Sequence, residues 1–304
     1  MLRYILSRLG QSVLVMFGVS VLIFYSLHLT GDPAAVMMPP GSSQAEIDHF
    51  RQAMGFDRPL LWQYGHYLNA VLHGDLGQSL RYDQPVTELI AQRVPATLLL
   101  AVTALAWSTV VGLLLGLVSA IWRNSFWDLL ARLLAFSGQA IPVFWLGLLM
   151  ILLFSLQLRW LPSSGYGSAS QLVMPAVSLG AYYMSAIARL VRASLIDVLH
   201  LDYIRTAQAR GLSPWRILIR HGLRNALIPV VTVQGMYFAS LLGGALVTEI
   251  IFAWPGIGRL AVQAIQNRDF PLVQAIVLLA ALVFVMVNLL IDLLYVVLNP
   301  RIRL

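Results

Sequence analysis

The chain has 304 residues and a formal net charge of +7. Hydrophobic residues make up 59% of it and charged residues 11%, against roughly 45–50% and 25% in soluble domains. With a mean hydropathy of +0.78, this excludes an ordinary soluble domain, a disordered chain and a small secreted scaffold. There are no cysteines, which excludes disulfides, Cys-ligated zinc, iron–sulfur clusters and thiol nucleophiles. All 20 basic residues are arginines. Without lysine there is no Walker A phosphate loop and no Schiff-base chemistry. The net positive charge is read as membrane topology rather than as a nucleic-acid footprint.

A membrane-crossing helix needs about 20 residues without exposed charge. Six charge-free stretches reach that length: 9–31, 94–122, 133–158, 160–188, 225–248 and 270–291. The expected fold is therefore an all-α integral membrane protein with six transmembrane helices. The first, 1–30, has Arg3 and Arg8 before an apolar run, Leu9–Leu29, that is longer than the about 7–15 residues of a signal-peptide core. It reads as an uncleaved helix.

Residues 31–93 follow as an external helical region, with helical patterns at Gln44–Met54 and Leu60–Leu72 separated by Gly55 and Pro59. The second pattern carries Trp62, Tyr64, His66 and Tyr67. Such an aromatic amphipathic stretch packs on its own protein, rests at the membrane interface or docks a partner. The core, 94–298, holds spans expected at about 97–121, 133–156, 172–191, 226–250 and 271–298. The fourth starts late because Pro162, Gly165 and Gly167 make a turn-rich loop. Gly112 and Gly116 in the second span mark a close helix contact, within the subunit or between subunits.

Alternating the spans from a cytoplasmic N-terminus places 13 arginines and three acids (Asp128, Asp197 and Asp202) inside. Seven arginines and nine acids fall outside, and Asp292 lies in the last span. The split is +10 inside against −2 outside, which the positive-inside rule favours, with both termini cytoplasmic.

The 193–225 segment is an internal loop. Ile196, Leu199, Ile204 and Ala207 recur at helical spacing, Gly211 stands where a helix end needs a left-handed residue, and Ser213-Pro214 fits a new helix start. Trp215–His221 is basic and amphipathic. This reads as helix–tight turn–helix between two spans. On these residues alone, anionic lipid binding and protein docking are equally open, whereas DNA binding is disfavoured because both ends are tethered to the bilayer. Gly243 and Gly244 in the fifth span allow tight packing or a bend. Glu249 ends that span. It is read as an acid at the outer mouth of a pathway, shaped by the Ile251–Gly258 turn with Pro255 and Gly256, or as a structural partner of Arg259 or Arg268.

The loop resembles the cytoplasmic coupling (EAA) loop of ABC importer permeases, through Asp202-Tyr203-Ile204-Arg205-Thr206-Ala207-Gln208-Ala209-Arg210-Gly211-Leu212-Ser213 and Arg220-His221-Gly222-Leu223-Arg224-Asn225. Arg205, Thr206 and Ala207 stand where the general motif has Glu-Ala-Ala, a departure similar to the version in the peptide, glutathione and nickel branch. Gly31-Asp32-Pro33, Met54-Gly55-Phe56-Asp57-Arg58-Pro59, Gly74-Asp75-Leu76-Gly77, Val247–Arg259 and Asn299-Pro300-Arg301 resemble the same branch, the oligopeptide-dipeptide permease B-type family, over essentially the whole chain. The resemblance implies a type I importer fold in the bacterial cytoplasmic (inner) membrane. It implies a non-enzymatic permease subunit that completes its pathway with a homologous second permease. Two ATPase subunits would carry ATP-Mg, an extracytoplasmic solute-binding protein would deliver cargo, and no cofactor would sit on this chain. ATPase coupling would fall to Asp202, Arg205, Thr206, Ala207, Ala209, Gly211, Leu212, Ser213 and Trp215. The pathway and gate would fall to Gly243, Gly244, Glu249, Pro255 and Gly256.

The expected cargo is peptide-like (dipeptide, oligopeptide or glutathione), with nickel chelates and opines as alternatives within the family. An ion-coupled secondary transporter would place several ionisable residues deep in its spans, and only Asp292 lies there, beside Asn288. An intramembrane enzyme would need paired ligands, a nucleophile elbow or a carboxylate dyad, none of which the sequence offers.

Overall fold

The structure is a computed structural model describing residues 2–29, 32–39 and 41–298. Among the described residues it is helical, apart from one isolated antiparallel bridge between Gln78 and Pro85. Gly31 and the terminal Asn299-Pro300-Arg301 motif lie outside the described residues, as does the side chain of Asp292.

In chain order the elements are α1 (Leu2–Leu29), α2 (Pro33–Met37), α3 (Gln44–Ala53), α4 (Leu60–Leu72), α5 (Val86–Ile121), α6 (Phe126–Ala140) and α7 (Val143–Met150). A π-helical stretch, Ile151–Gln157, continues α7. Then come α8 (Ala169–Leu199), α9 (Asp202–Ala209), α10 (Pro214–Arg216), a second π-helical stretch (Ile217–Leu223), α11 (Arg224–Ala226), α12 (Ile228–Ile251), α13 (Ile257–Gln266) and α14 (Phe270–Leu298).

Helices α1, α5, α8 and α14 are each long and apolar enough to cross a membrane. Two bent pairs raise the count to six when each is taken as one span: α6 with α7 and its continuation, bent by 107°, and Pro214–Ala226 with the first part of α12, bent by 45°. The third expected span is thus not the straight helix its uncharged run suggested. Pro142 has no N–H to give the ladder and its ring disfavours helical backbone in the residue before it. Ile141 is accordingly extended (φ −92°, ψ 122°) and the helix stops at Ala140.

The chain divides into two compact units, Met1–Pro95 with Gly256–Leu304, and Ala96–Pro255. In the first, α1 packs along α14. Helix α4 turns its aromatic face onto α1: Phe24 lies 5.3 Å from Tyr64 and 5.6 Å from Tyr67, and Tyr64 shares a 2.8 Å hydrogen bond with Ser20. The aromatic stripe therefore packs on its own protein, while Trp62, stacked on His66, stays half exposed. A capping box between Ser43 and Glu46 starts α3, and Arg51 ties that helix to Asp32 at 2.5 Å. Val86, Leu89 and Ile90 form a buried cluster with Leu260, Ala264, Leu272, Ala275 and Ile276.

In the second unit α8 is the central element, packed by α6, α7 and α12. Glycines decide how close neighbours come. A Cβ on Gly112 would stand 2.8 Å from the Met184 carbonyl, and one on Gly116 would stand 2.7 Å from the Ala188 carbonyl and the Val191 side chain. Gly180 meets the Ala104 carbonyl in the same way, at 2.7 Å. The Gly112/Gly116 pair is thus a contact between α5 and α8 within the subunit, where backbone approach gains dispersion without a hydrophobic drive. Large side chains such as Phe126, Leu133, Phe136, Phe144 and Trp160 remain exposed, a surface that water would not tolerate over such an extent.

Candidate functional site

The 202–225 segment begins where α8 ends. The helical spacing of Ile196, Leu199, Ile204 and Ala207 is not carried by one helix: α8 closes at Leu199, and α9 restarts at Asp202 after an extended Leu201. Helix α9 then stops in a Schellman motif. The Gly211 amide donates to Gln208 O at 2.9 Å and the Leu212 amide to Ala207 O at 3.3 Å, with Gly211 left-handed at φ +71°. Leu212 completes the motif by packing on Ile204, Ala207 and Ile217. Ser213 is extended before Pro214, but its hydroxyl makes no capping bond, a correction to its expected role. The chain continues as a short α-turn and then as the π-helical 217–223 stretch rather than as one amphipathic α-helix.

Several contacts fix this hairpin. Tyr203 Oη donates to the His221 carbonyl at 3.2 Å and accepts from Asn225 Nδ2 at 2.8 Å. A Cβ on Gly222 would lie 3.3 Å from Leu199 and 3.4 Å from Leu195, so this glycine lets the segment settle on the end of α8. Leu218 packs against the cluster of Ala120, Leu195 and Ala226.

Of the residues assigned to coupling, Asp202, Arg205, Thr206, Ala209, Gly211, Ser213 and Trp215 are exposed, while Ala207 and Leu212 are turned inward. Of the apolar side chains in this segment, Leu212 and Leu218 are engaged inside the chain. Trp215 (69% exposed) and Ile219 (42%) remain on the surface. The Asp202–Arg205 pair, at 3.5 Å and largely exposed, adds little stability. What the segment presents is a hydrogen-bonded turn with Trp215 exposed among arginines.

The pathway residues do not form one cluster. Glu249 is fully buried and accepts from Thr97 Oγ1 at 2.7 Å. It is an interior acceptor in this chain, not a carboxylate exposed at a mouth. The Gly243 Cβ position is open and α12 runs through it without a break, so neither tight packing nor a bend occurs there within the chain. The surroundings of Gly244 lie outside the described residues. The corner after α12 is tightly held. Trp254, 1% exposed, donates Nε1 to Ala96 O at 2.8 Å and meets the Tyr166 ring edge-on at 4.9 Å, while Ala253 adopts a left-handed φ of +50°. Pro255 follows, partly buried. Gly256, extended, is the N-cap residue of α13.

Sequence reasoning missed a polar cluster around Asp128, treated there only as one of three internal acids. This carboxylate is fully buried and bonded by Ser119, the Asn124 amide, Arg132 and Arg192. The Asp128–Arg132 spacing of four on one helix was visible; Ser119 and Arg192 are supplied by other helices.

Residues 112–304 match the family described as binding-protein-dependent transport system inner membrane component, and residues 1–101 match the N-terminal region of such membrane components. The chain is similar to the glutathione transport system permease protein GsiC of Escherichia coli O6:H1, with 44% identity over 304 residues, covering 100% of this chain and 99% of that protein. The same protein from Escherichia coli K12 is 43% identical over the same extent. Among solved structures, the inward-facing MetNI methionine ABC transporter aligns with a TM-score of 0.54 at 20% identity, covering 68% of this chain and 96% of that one. An amino acid ABC transporter with histidines gives 0.54 at 17%, covering 68% and 93%. These likenesses show the fold of ABC transporter permeases. The chain belongs to the binding-protein-dependent transport system inner membrane components, the permease subunits of ABC importers.

Proposed function

We propose that this permease forms half of the transmembrane pathway for a peptide-like solute, with glutathione the leading cargo, and that residues 202–225 take up the motion of a separate ATPase. Family membership places the chain in the inner membrane as part of an importer with an ATPase and a solute-binding protein. The finer reading adds a homologous second permease, two ATPase subunits holding ATP-Mg, and both termini in the cytoplasm. The observation that carries the cargo reading is the match to glutathione permeases over the full chain at 43–44% identity. What supports the coupling reading is mechanical. The 202–225 hairpin is held by a Schellman turn, the Tyr203 bonds and the Gly222 approach to α8, so a push on its exposed turn reaches α8 and α12 instead of dissipating in a slack loop.

The test is uptake into proteoliposomes holding the whole importer with ATP inside. Labelled glutathione should be imported, dipeptides should compete, and uptake should vanish when the ATPase is omitted. Import of a nickel chelate with no glutathione uptake would replace this cargo reading.

A further inference from the structure

The Asp128 cluster borders a cavity of about 400 Å³ in the second unit, between α5, α6 and α8. One wall is cationic. Arg132 sends Nε to Asp128 at 3.1 Å. Arg192 sends Nε to Ser119 at 2.8 Å and reaches both Asp128 oxygens at 3.4 Å. Asp128 thus steers two guanidinium groups, whose remaining terminal N–H groups have no protein acceptor among the described residues. Arg189, one turn before Arg192 on α8, also lines the cavity and forms no ion pair among the described residues. Three guanidiniums against one carboxylate leave +2 at the cavity. The rest of the lining is largely apolar and includes Leu115, Ala131, Ala135, Phe136 and Ala188. Phe136 and its neighbour Leu133 are 65% and 56% exposed on the outward face of α6.

We propose that this cavity binds the phosphate headgroup of an anionic membrane phospholipid. Pre-oriented guanidinium forks suit phosphate oxygens, which accept two N–H bonds from one arginine. Free phosphate would satisfy the arginines but leave the apolar lining uncovered. A phospholipid covers both, with its phosphate on Arg132, Arg189 and Arg192 and its first acyl carbons along Leu115 and Phe136. Occupation joins α6 to α8 beside the start of the 202–225 segment, so lipid composition would tune the stiffness of the elements that receive the ATPase stroke. The headgroup would lie in the cytoplasmic leaflet on the topology proposed above; the chemistry of the site does not rest on that topology, which single cysteine replacements at Ser43 and Ser213, probed with an impermeant thiol reagent, test separately.

The experiment uses the assembled importer in neutral detergent, titrated with dioctanoyl phosphatidylglycerol, dioctanoyl phosphatidylcholine or inorganic phosphate while its melting is followed. Phosphatidylglycerol should raise the melting temperature saturably, and the other two should not. Arg189→Gln, which leaves the Asp128 network intact, should melt as the parent does without lipid and bind phosphatidylglycerol about fivefold more weakly, the effect of one arginine at an anionic membrane surface. Arg132→Gln should weaken binding as well, but Arg189→Gln decides if that variant assembles poorly. Equal stabilisation by phosphatidylcholine, or unchanged phosphatidylglycerol binding by Arg189→Gln, would overturn the proposal. A shift with inorganic phosphate equal to that with phosphatidylglycerol would also overturn it, by showing a soluble anion site.

Discussion

The side-chain amide of Asn225 donates to the Tyr203 hydroxyl at 2.8 Å, joining two positions 22 residues apart, and both side chains also bond the His221 carbonyl. This triangle closes the 202–225 hairpin at its base. Tyr203→Phe removes two bonds, each worth about 0.5–1.5 kcal/mol net, and leaves the exposed Asn225 amide to water. Hydrogen exchange in 202–225 should quicken while the melting temperature of the assembly stays put. ATP hydrolysis per glutathione imported should rise.

Gly211 separates conformational strain from crowding. A Cβ there meets nothing within 4 Å, so only its φ of +71° penalises a side chain. Gly211→Ala should cost about 1–2 kcal/mol in the turn. Gly211→Val should cost more, and Gly211→Asn, which tolerates left-handed backbone, should cost less. ATP-driven uptake should fall in the order Asn, Ala, Val with insertion unchanged. A Gly211→Val importer with normal uptake would remove this turn from the coupling role.

Gly116 and Gly243 should behave oppositely. Gly116→Val forces a branched side chain into the Ala188 carbonyl and Val191, an overpacking cost of about 1–3 kcal/mol or more, and membrane yield should drop. Gly243→Ala meets no atom of its own chain. Its yield as a single subunit should be unchanged, and any loss on assembly would locate a second chain at that position.

Thr97→Val tests the interior role of Glu249. It leaves the buried carboxylate one donor short, a cost of about 1–3 kcal/mol. Melting temperature and transport should decline together. Transport loss for amine-bearing cargo alone, at full stability, would return Glu249 to the gate role.

The 32–53 region should tolerate mild acid. The Arg51 hydrogen bond holds the Asp32 carboxyl below its ordinary 3.8, and the Ser43 amide and hydroxyl hold Glu46 below 4.5. Both pKa values are depressed on folding, so their stabilisation is present above those ordinary values and is lost as pH falls through the lower folded ones. Hydrogen-exchange protection in α2 and α3, corrected for the intrinsic pH dependence of exchange, should therefore match at pH 7 and pH 5 and fall only below about pH 4.

The amino-acid sequence by itself determined that this is a helical membrane protein, because a bilayer imposes a nearly one-dimensional requirement: enough consecutive apolar residues, with charge confined between them. It also marked the Gly211 turn, since a left-handed backbone is a local demand that glycine meets at its own position. It did not reveal which glycines face their own chain, that Glu249 and Asp128 are interior, or that Leu212 and Leu218 turn inward. Each of those depends on the register at which one helix meets another. Thr97 reaches Glu249 across 152 residues and Arg192 reaches Ser119 across 73. Periodicity names the residues that share a face; only tertiary packing decides whether that face meets backbone, a buried charge, lipid or nothing.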